Sequence, residues 1–147
     1  MSLKSKLMDD LKLAMKEKDQ VKKSVITLIR SAVKQYEVDN RIELDDDGVI
    51  DIVSKQMKQR KDALEEFKKA GREDLIAQTE SEIEILKTYL PAQLSDEEVE
   101  KIVVETIGEI SASSMKDMGK VMSAIMPKVK GKADGKIVNQ LVKKHLQ

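Results

Sequence analysis

The sequence predicts an all-α protein: an N-terminal helical hairpin or bundle, then a small three-helix C-terminal domain. Three observations predict it. Apolar content is 40% while aromatic content is only 2%, and a β-sandwich or barrel of 147 residues draws far more on aromatic and β-branched side chains. The excess of Lys, Glu, Leu, Ile, Met and Ala favours helix formers. Apolar residues recur at helical spacing in segment after segment, separated by capping and breaking residues.

The first helix starts near Ser2, with Leu3, Leu7, Leu11 and Met15 as its apolar stripe. A break at Lys18-Asp19-Gln20 precedes the second, whose stripe is Val21, Val25, Leu28, Ala32 and Val33. Asp39-Asn40 opens a polar connection that runs through Asp47-Gly48. Asp45, Asp46 and Asp47 cap the third helix and put negative charge at the positive end of its dipole. Ile50, Val53, Met57, Leu64 and Phe67 form its inner face, and Gly71 supplies the left-handed residue that ends it. The fourth helix runs from about Arg72 to Tyr89, with Leu75, Ile76, Thr79, Ile83, Leu86 and Leu90 on one side.

Pro91 breaks that helix and marks the domain boundary, giving units of residues 1–92 and 93–147. Ser95 and Glu98 form a capping box for the fifth helix, whose stripe is Val99, Ile102, Val103, Thr106 and Ile107. Ser111–Ser114 is a short polar linker. Met118, Val121, Met122, Ile125 and Met126 form the sixth helix, which Pro127 tends to terminate. A Lys- and Gly-rich turn, Lys128–Ala133, leads to Asp134 as the cap of the last helix, lined by Ile137, Val138, Leu141, Val142 and Leu146. A C-terminal module this small is expected to pack against the first unit.

The side-chain inventory argues against a self-sufficient enzyme. The absence of Cys removes disulfides, thiolate nucleophiles and Cys-ligated metals. The one histidine, His145, stands two residues from the C-terminus and reads as a frayed, solvated side chain. Asp45-Asp46-Asp47-Gly48 lacks the alternating ligands and distal Glu of a calcium loop, so capping is the better reading. Gly131-Lys-Ala-Asp-Gly135-Lys136 superficially resembles a phosphate loop, but its glycines are too close and Ile137 stands where Ser or Thr belongs. No catalytic residue, metal or cofactor is therefore expected. Charges interrupt the first sixteen residues, so they do not read as a signal peptide. No apolar run is long enough to span a membrane, and the expected location is the cytoplasm.

Formal net charge is zero, but the charge is unevenly spread. The fifth helix is acidic: Asp96, Glu97, Glu98, Glu100, Glu105 and Glu109 oppose Lys101 alone. Residues 110–147 carry eight lysines, Lys116, Lys120, Lys128, Lys130, Lys132, Lys136, Lys143 and Lys144, against Asp117 and Asp134. The stretch up to Lys34 is mildly basic. A lysine-rich face on paired helices reads first as an ordinary solvated surface, closely followed by a phosphate-binding surface, with an acidic protein partner the lesser alternative. Lys130-Gly131-Lys132 precedes a helix N-terminus, where free N–H groups favour anions, although Asp134 competes for them. Lysines without arginines deliver point charge and no base-reading fork. Tyr36, Phe67 and Tyr89 make no stacking platform for single strands. Any RNA bound would be folded, and recognised by shape and backbone. Met115, Met118, Met122 and Met126 form a stripe suited to the core or to a partner's groove.

Four segments together carry a family resemblance: Lys69-Ala-Gly-Arg-Glu-Asp-Leu75, Tyr89-Leu-Pro-Ala-Gln-Leu-Ser95, Lys116-Asp-Met-Gly-Lys-Val-Met122 and Lys130-Gly-Lys-Ala-Asp-Gly-Lys136. In this order they resemble the YqeY family over nearly the whole chain. That family is similar to the C-terminal region of the GatB component of the bacterial aspartyl/glutamyl-tRNA amidotransferase, where helical and tail regions help hold the tRNA and catalysis lies elsewhere. The resemblance implies an all-helical fold with a small C-terminal domain and a link to tRNA. By matching motif it offers Lys116, Gly119, Lys120, Lys130, Gly131, Lys132 and Lys136 as RNA contacts, and the charge pattern adds Lys128, Lys143 and Lys144. Gly119 also fits a helix-packing position. Ser111 and Ser123 stand where the family commonly has Gly. The leading expectation is a free-standing tRNA- or RNA-binding accessory module. The alternative is an adaptor that uses the acidic fifth helix and the Met stripe to contact an amidotransferase or a synthetase. The family-level label of carbon–nitrogen ligase with glutamine as amido donor belongs to the larger enzyme.

Overall fold

Five of the helices, α1, α2, α3, α5 and α7, begin where a short polar side chain caps them. In the computed structural model, which describes residues 2–147, the Ser2 hydroxyl accepts from Ser5 N and starts α1 (Leu3–Glu17). Asp19 accepts from Lys22 N and starts α2 (Gln20–Asn40). Asp45 accepts from Gly48 N and starts α3 (Asp46–Ala70), with Asp46 and Asp47 in its first turn. Gly71, at φ +67°, closes α3 and leads into α4 (Glu73–Lys87). The full capping box at Ser95 and Glu98 opens α5 (Asp96–Ile110). A 3-10 turn at Met115–Asp117 leads into α6 (Met118–Val129), and Asp134 caps α7 (Gly135–Leu146). No strand occurs among the described residues, so the fold is all-α.

The chain divides into two compact units, one ending at Leu90 and the other spanning Pro91–Gln147. In the first unit α1 packs on α2, and α3 packs on α4. Its core is built from Leu7, Val25, Ile26, Ile29, Val33, Val49, Val53, Met57, Ile83, Leu86 and Tyr89. Tyr89 is buried, and its hydroxyl donates to Asp10 at 2.5 Å while Lys6 lies 5.1 Å from the ring centroid. Burial and the Asp10 carboxylate both push the Tyr89 phenol well above its ordinary value. The second unit packs α5 against both α6 and α7 around Val99, Val103, Val121, Ile125, Val129, Val138, Val142 and Leu146.

Several expectations need correction. Helix α4 ends at Lys87, and the chain tightens into i→i+3 turns at Tyr89 and Leu90. Pro91 disfavours helical backbone at the residue before it. Pro127 does not end α6, which continues to Val129. Proline's fixed φ suits a helix, and burial of Val129 beside Val121 and Ile125 holds the last turn in place. In α1 the buried residues are Leu7 and Ala14, while Met15 is exposed. In α2 they are Val25, Ile26, Ile29 and Val33, with Val21 and Leu28 exposed. In α3, Val49 is buried together with Val53 and Met57.

Candidate nucleic-acid interface

The C-terminal unit positions its lysines at the ends of helices. Lys116 lies in the 3-10 turn, Gly119 and Lys120 in the first turn of α6, and Lys128 in its last turn. Lys130, Gly131 and Lys132 form the connection to α7, Lys136 lies in the first turn of α7, and Lys143 and Lys144 lie in its last. The connection is tightly built. Gly131 takes φ +72°, a conformation that favours glycine. Lys132 N donates to Val129 O at 2.8 Å. The segment before α5 then clamps the turn from outside: Gln93 Nε2 donates to Gly131 O at 2.7 Å, and Leu94 N donates to Lys132 O at 2.8 Å. Sequence reasoning missed Gln93, because its partner lies thirty-eight residues away and no local pattern announces it.

The structure sorts the ten candidate contacts into distinct environments. Lys128 Nζ donates to Thr106 Oγ1 at 2.9 Å and to Glu109 Oε2 at 3.0 Å. Lys144 Nζ donates to Glu100 Oε1 at 3.1 Å. The acidic helix thus absorbs two of the lysines within the module, and lysines in a last helical turn also suit the dipole. Lys116, Lys120, Lys132, Lys136 and Lys143 are exposed, and their ammonium groups have no hydrogen bond or ion pair among the described residues. Lys120 and Lys136 sit near helix N-termini, where the dipole disfavours cations. Lys136 and Lys143, seven residues apart, share one face of α7.

Gly119 lies on an exposed position, and a Cβ there would meet nothing within 4 Å, so close helix packing does not explain it. Asp134 Oδ1 accepts from Lys136 N at 2.9 Å and takes one of the donors at the start of α7. His145 is not frayed: it lies within α7, with Nε2 2.9 Å from Glu100 Oε1. His145, then Lys144, hold the Glu100 carboxyl below its ordinary value. Of the methionine stripe, Met118 and Met122 pack against the core, whereas Met115 and Met126 are exposed. Among the described residues no group of three or more His, Cys, Asp or Glu side chains is arranged to hold a metal ion. No helix among them is long and apolar enough to cross a membrane.

The sequence model of a family described as Yqey-like protein matches residues 4–146. Relatives include proteins named Altered inheritance of mitochondria protein 41, mitochondrial. The one from Lachancea thermotolerans is 41% identical over 74% of this chain and 59% of its own length. The one from Kluyveromyces lactis is 38% identical over 73% of this chain and 60% of its own. The one from Saccharomyces cerevisiae strain YJM789 is 39% identical over 58% of this chain and 47% of its own. The matched region thus spans less than two thirds of each relative. The expectation of a cytoplasmic location does not stand, because these relatives are named as mitochondrial proteins.

Proposed function

The chain belongs to the YqeY-like family, and from that premise we propose that it is an RNA-binding accessory protein that docks the exposed lysines of its C-terminal unit on the backbone of a folded RNA such as tRNA. The observation that carries this reading is the set of exposed lysines without carboxylate partners, Lys116, Lys120, Lys132, Lys136 and Lys143. Lys120 and Lys136 oppose the dipoles of their own helices, so they do not serve helix stability. Ammonium groups on flexible stems give phosphate contacts that fix position and carry little sequence information. The clamp of Gln93 and Leu94 on the Gly131–Lys132 turn supports the reading, because it limits the ordering cost of binding there.

The test is a titration of the full chain with total tRNA across a salt series. Saturable binding with a steep salt slope is expected. Replacing Lys120, Lys132 and Lys136 together by Ala should lower the slope by about 2 to 3, since each lost phosphate contact removes about 0.7 to 0.9. Salt-independent binding, or none at low salt, refutes the proposal.

Exposure of Met115 and Met126 favours a second reading, an adaptor contacting an amidotransferase or a synthetase. That reading requires a complex that survives nuclease treatment and is lost when both methionines are replaced by Ser.

A further inference from the structure

In the N-terminal unit, α1 and α2 leave an open groove between them that the RNA reading does not use. Two adjoining hollows of about 650 and 190 Å³ lie along the helix pair, and both are lined by Arg30 and Lys34. The α1 side is apolar apart from Lys4, whose ammonium is bonded to Glu37. Met8 and Leu11 line the hollows, and Met15, exposed, falls on the same face of α1 at helical spacing. The α2 side is basic. Arg30 and Lys34 make no hydrogen bond or ion pair among the described residues, and Lys23, seven residues before Arg30, shares their face. The one carboxylate in the lining, Glu37, is occupied: it accepts from Lys4 Nζ and, at 2.7 Å, from Leu44 N. The groove therefore has an apolar edge and a basic edge, and its one acid, already bonded to Lys4 and Leu44, also sits in the field of Lys34.

We propose that this groove docks an acidic amphipathic helix of a protein partner, its apolar stripe on Met8, Leu11 and Met15 and its carboxylates facing Lys23, Arg30 and Lys34. Charge complementarity selects the occupant, because a basic or neutral helix would cover the apolar edge and leave the cations of the basic edge outnumbering their one carboxylate, Glu37. From Met8 to Met15 the edge is about 10 Å long, two turns of helix, which suits anchors at i, i+3 or i+4, and i+7. RNA would gain nothing from the methionine edge, and no aromatic side chain lines the hollows for bases to stack on.

The probe is a fluorescein-labelled helix-forming peptide of about 16 residues, with a leucine stripe flanked by Glu, titrated against the full chain. Its counterpart carries Lys in place of Glu. The acidic peptide should bind saturably, and the basic one about tenfold more weakly or worse. Arg30→Glu with Lys34→Glu should reverse that preference. Met8→Ser with Met15→Ser should weaken both peptides while helix content by circular dichroism stays unchanged. The Lys120, Lys132 and Lys136 alanine variant should bind the acidic peptide like the wild type, which keeps this result separate from the fate of the RNA reading. Equal binding of the two peptides, no binding of either, or an unchanged preference in the charge-reversed variant overturns the proposal. So does binding of tRNA or of phosphatidylglycerol vesicles through Arg30 and Lys34 when the peptides show no preference.

Discussion

His145 Nε2 lies 2.9 Å from Glu100 Oε1, and this contact fastens the last turn of α7 to the second turn of α5. Lys144 Nζ donates to the same oxygen at 3.1 Å. Both partners favour the charged carboxylate, so its folded pKa lies below the ordinary 4.5. A depressed carboxylate adds stability that is present above the unfolded value and lost as pH falls through the folded one. Glu100→Gln should therefore be less stable than the wild type at neutral pH, with the difference shrinking to nothing in strong acid. Urea midpoints of the two proteins at several pH values check this, and a difference that persists unchanged into strong acid would contradict it.

Ser111 and Ser123 should respond to glycine with opposite signs. Ser111 ends α5 at φ +54°, in the left-handed region that costs an L-residue about 1 kcal/mol. Ser111→Gly should recover about that amount. Ser123 is exposed inside α6, where glycine is worse than serine by about 0.5 kcal/mol. Ser123→Gly should lower stability accordingly. Thermal or urea unfolding of the two variants reads the difference directly.

The intramodule pairs also predict which lysines matter for binding. Lys128 is engaged by Thr106 and Glu109, and Lys144 by Glu100. Lys128→Ala and Lys144→Ala should each leave tRNA affinity and its salt slope near wild type, while Lys132→Ala and Lys136→Ala each lower the slope by about 0.7 to 0.9. Lys128→Ala should also cost stability, about 1 kcal/mol, because it leaves the fully buried Thr106 hydroxyl without its donor.

Helix order, most caps and the breaks were legible in the sequence because Ser2, Asp19, Asp45, Gly71, Ser95 and Asp134 act on backbone groups within a few residues of themselves. The faces of the long helices were less legible. A stripe read at i+4 steps, Leu3, Leu7, Leu11, Met15, drifts by about 40° per step, so by Met15 it has rotated out of the core, which takes Ala14 instead. In α2 apolar residues occur on two faces, and only packing against the other helices selects Ile26 and Ile29 over Val21 and Leu28. The lysine-rich region was visible as composition. Its division into paired and unpaired cations was not, since Glu100 and Lys144 lie forty-four residues apart.

Gly48 shows how a loop residue constrains a helix start, and it supplies a further test. It lies in the first turn of α3 and donates its N–H to Asp45 Oδ1 at 2.9 Å. A Cβ built there would meet Leu44 Cδ2 at 2.6 Å and Leu44 Cβ at 3.2 Å. Leu44 packs against the N-terminal core, and its N–H is held by Glu37 Oε2 at 2.7 Å, so it cannot withdraw freely. Alanine gains about 1 kcal/mol in helix propensity, whereas displacing a packed leucine costs about 1 to 3 kcal/mol. Gly48→Ala should therefore destabilise the protein by about 1 kcal/mol, seen as a lower urea midpoint at constant slope. In a Leu44→Ala background the closest clash is gone, and the cost of Gly48→Ala should shrink or reverse. An undiminished cost there would place the strain in the α3 backbone and not in Leu44.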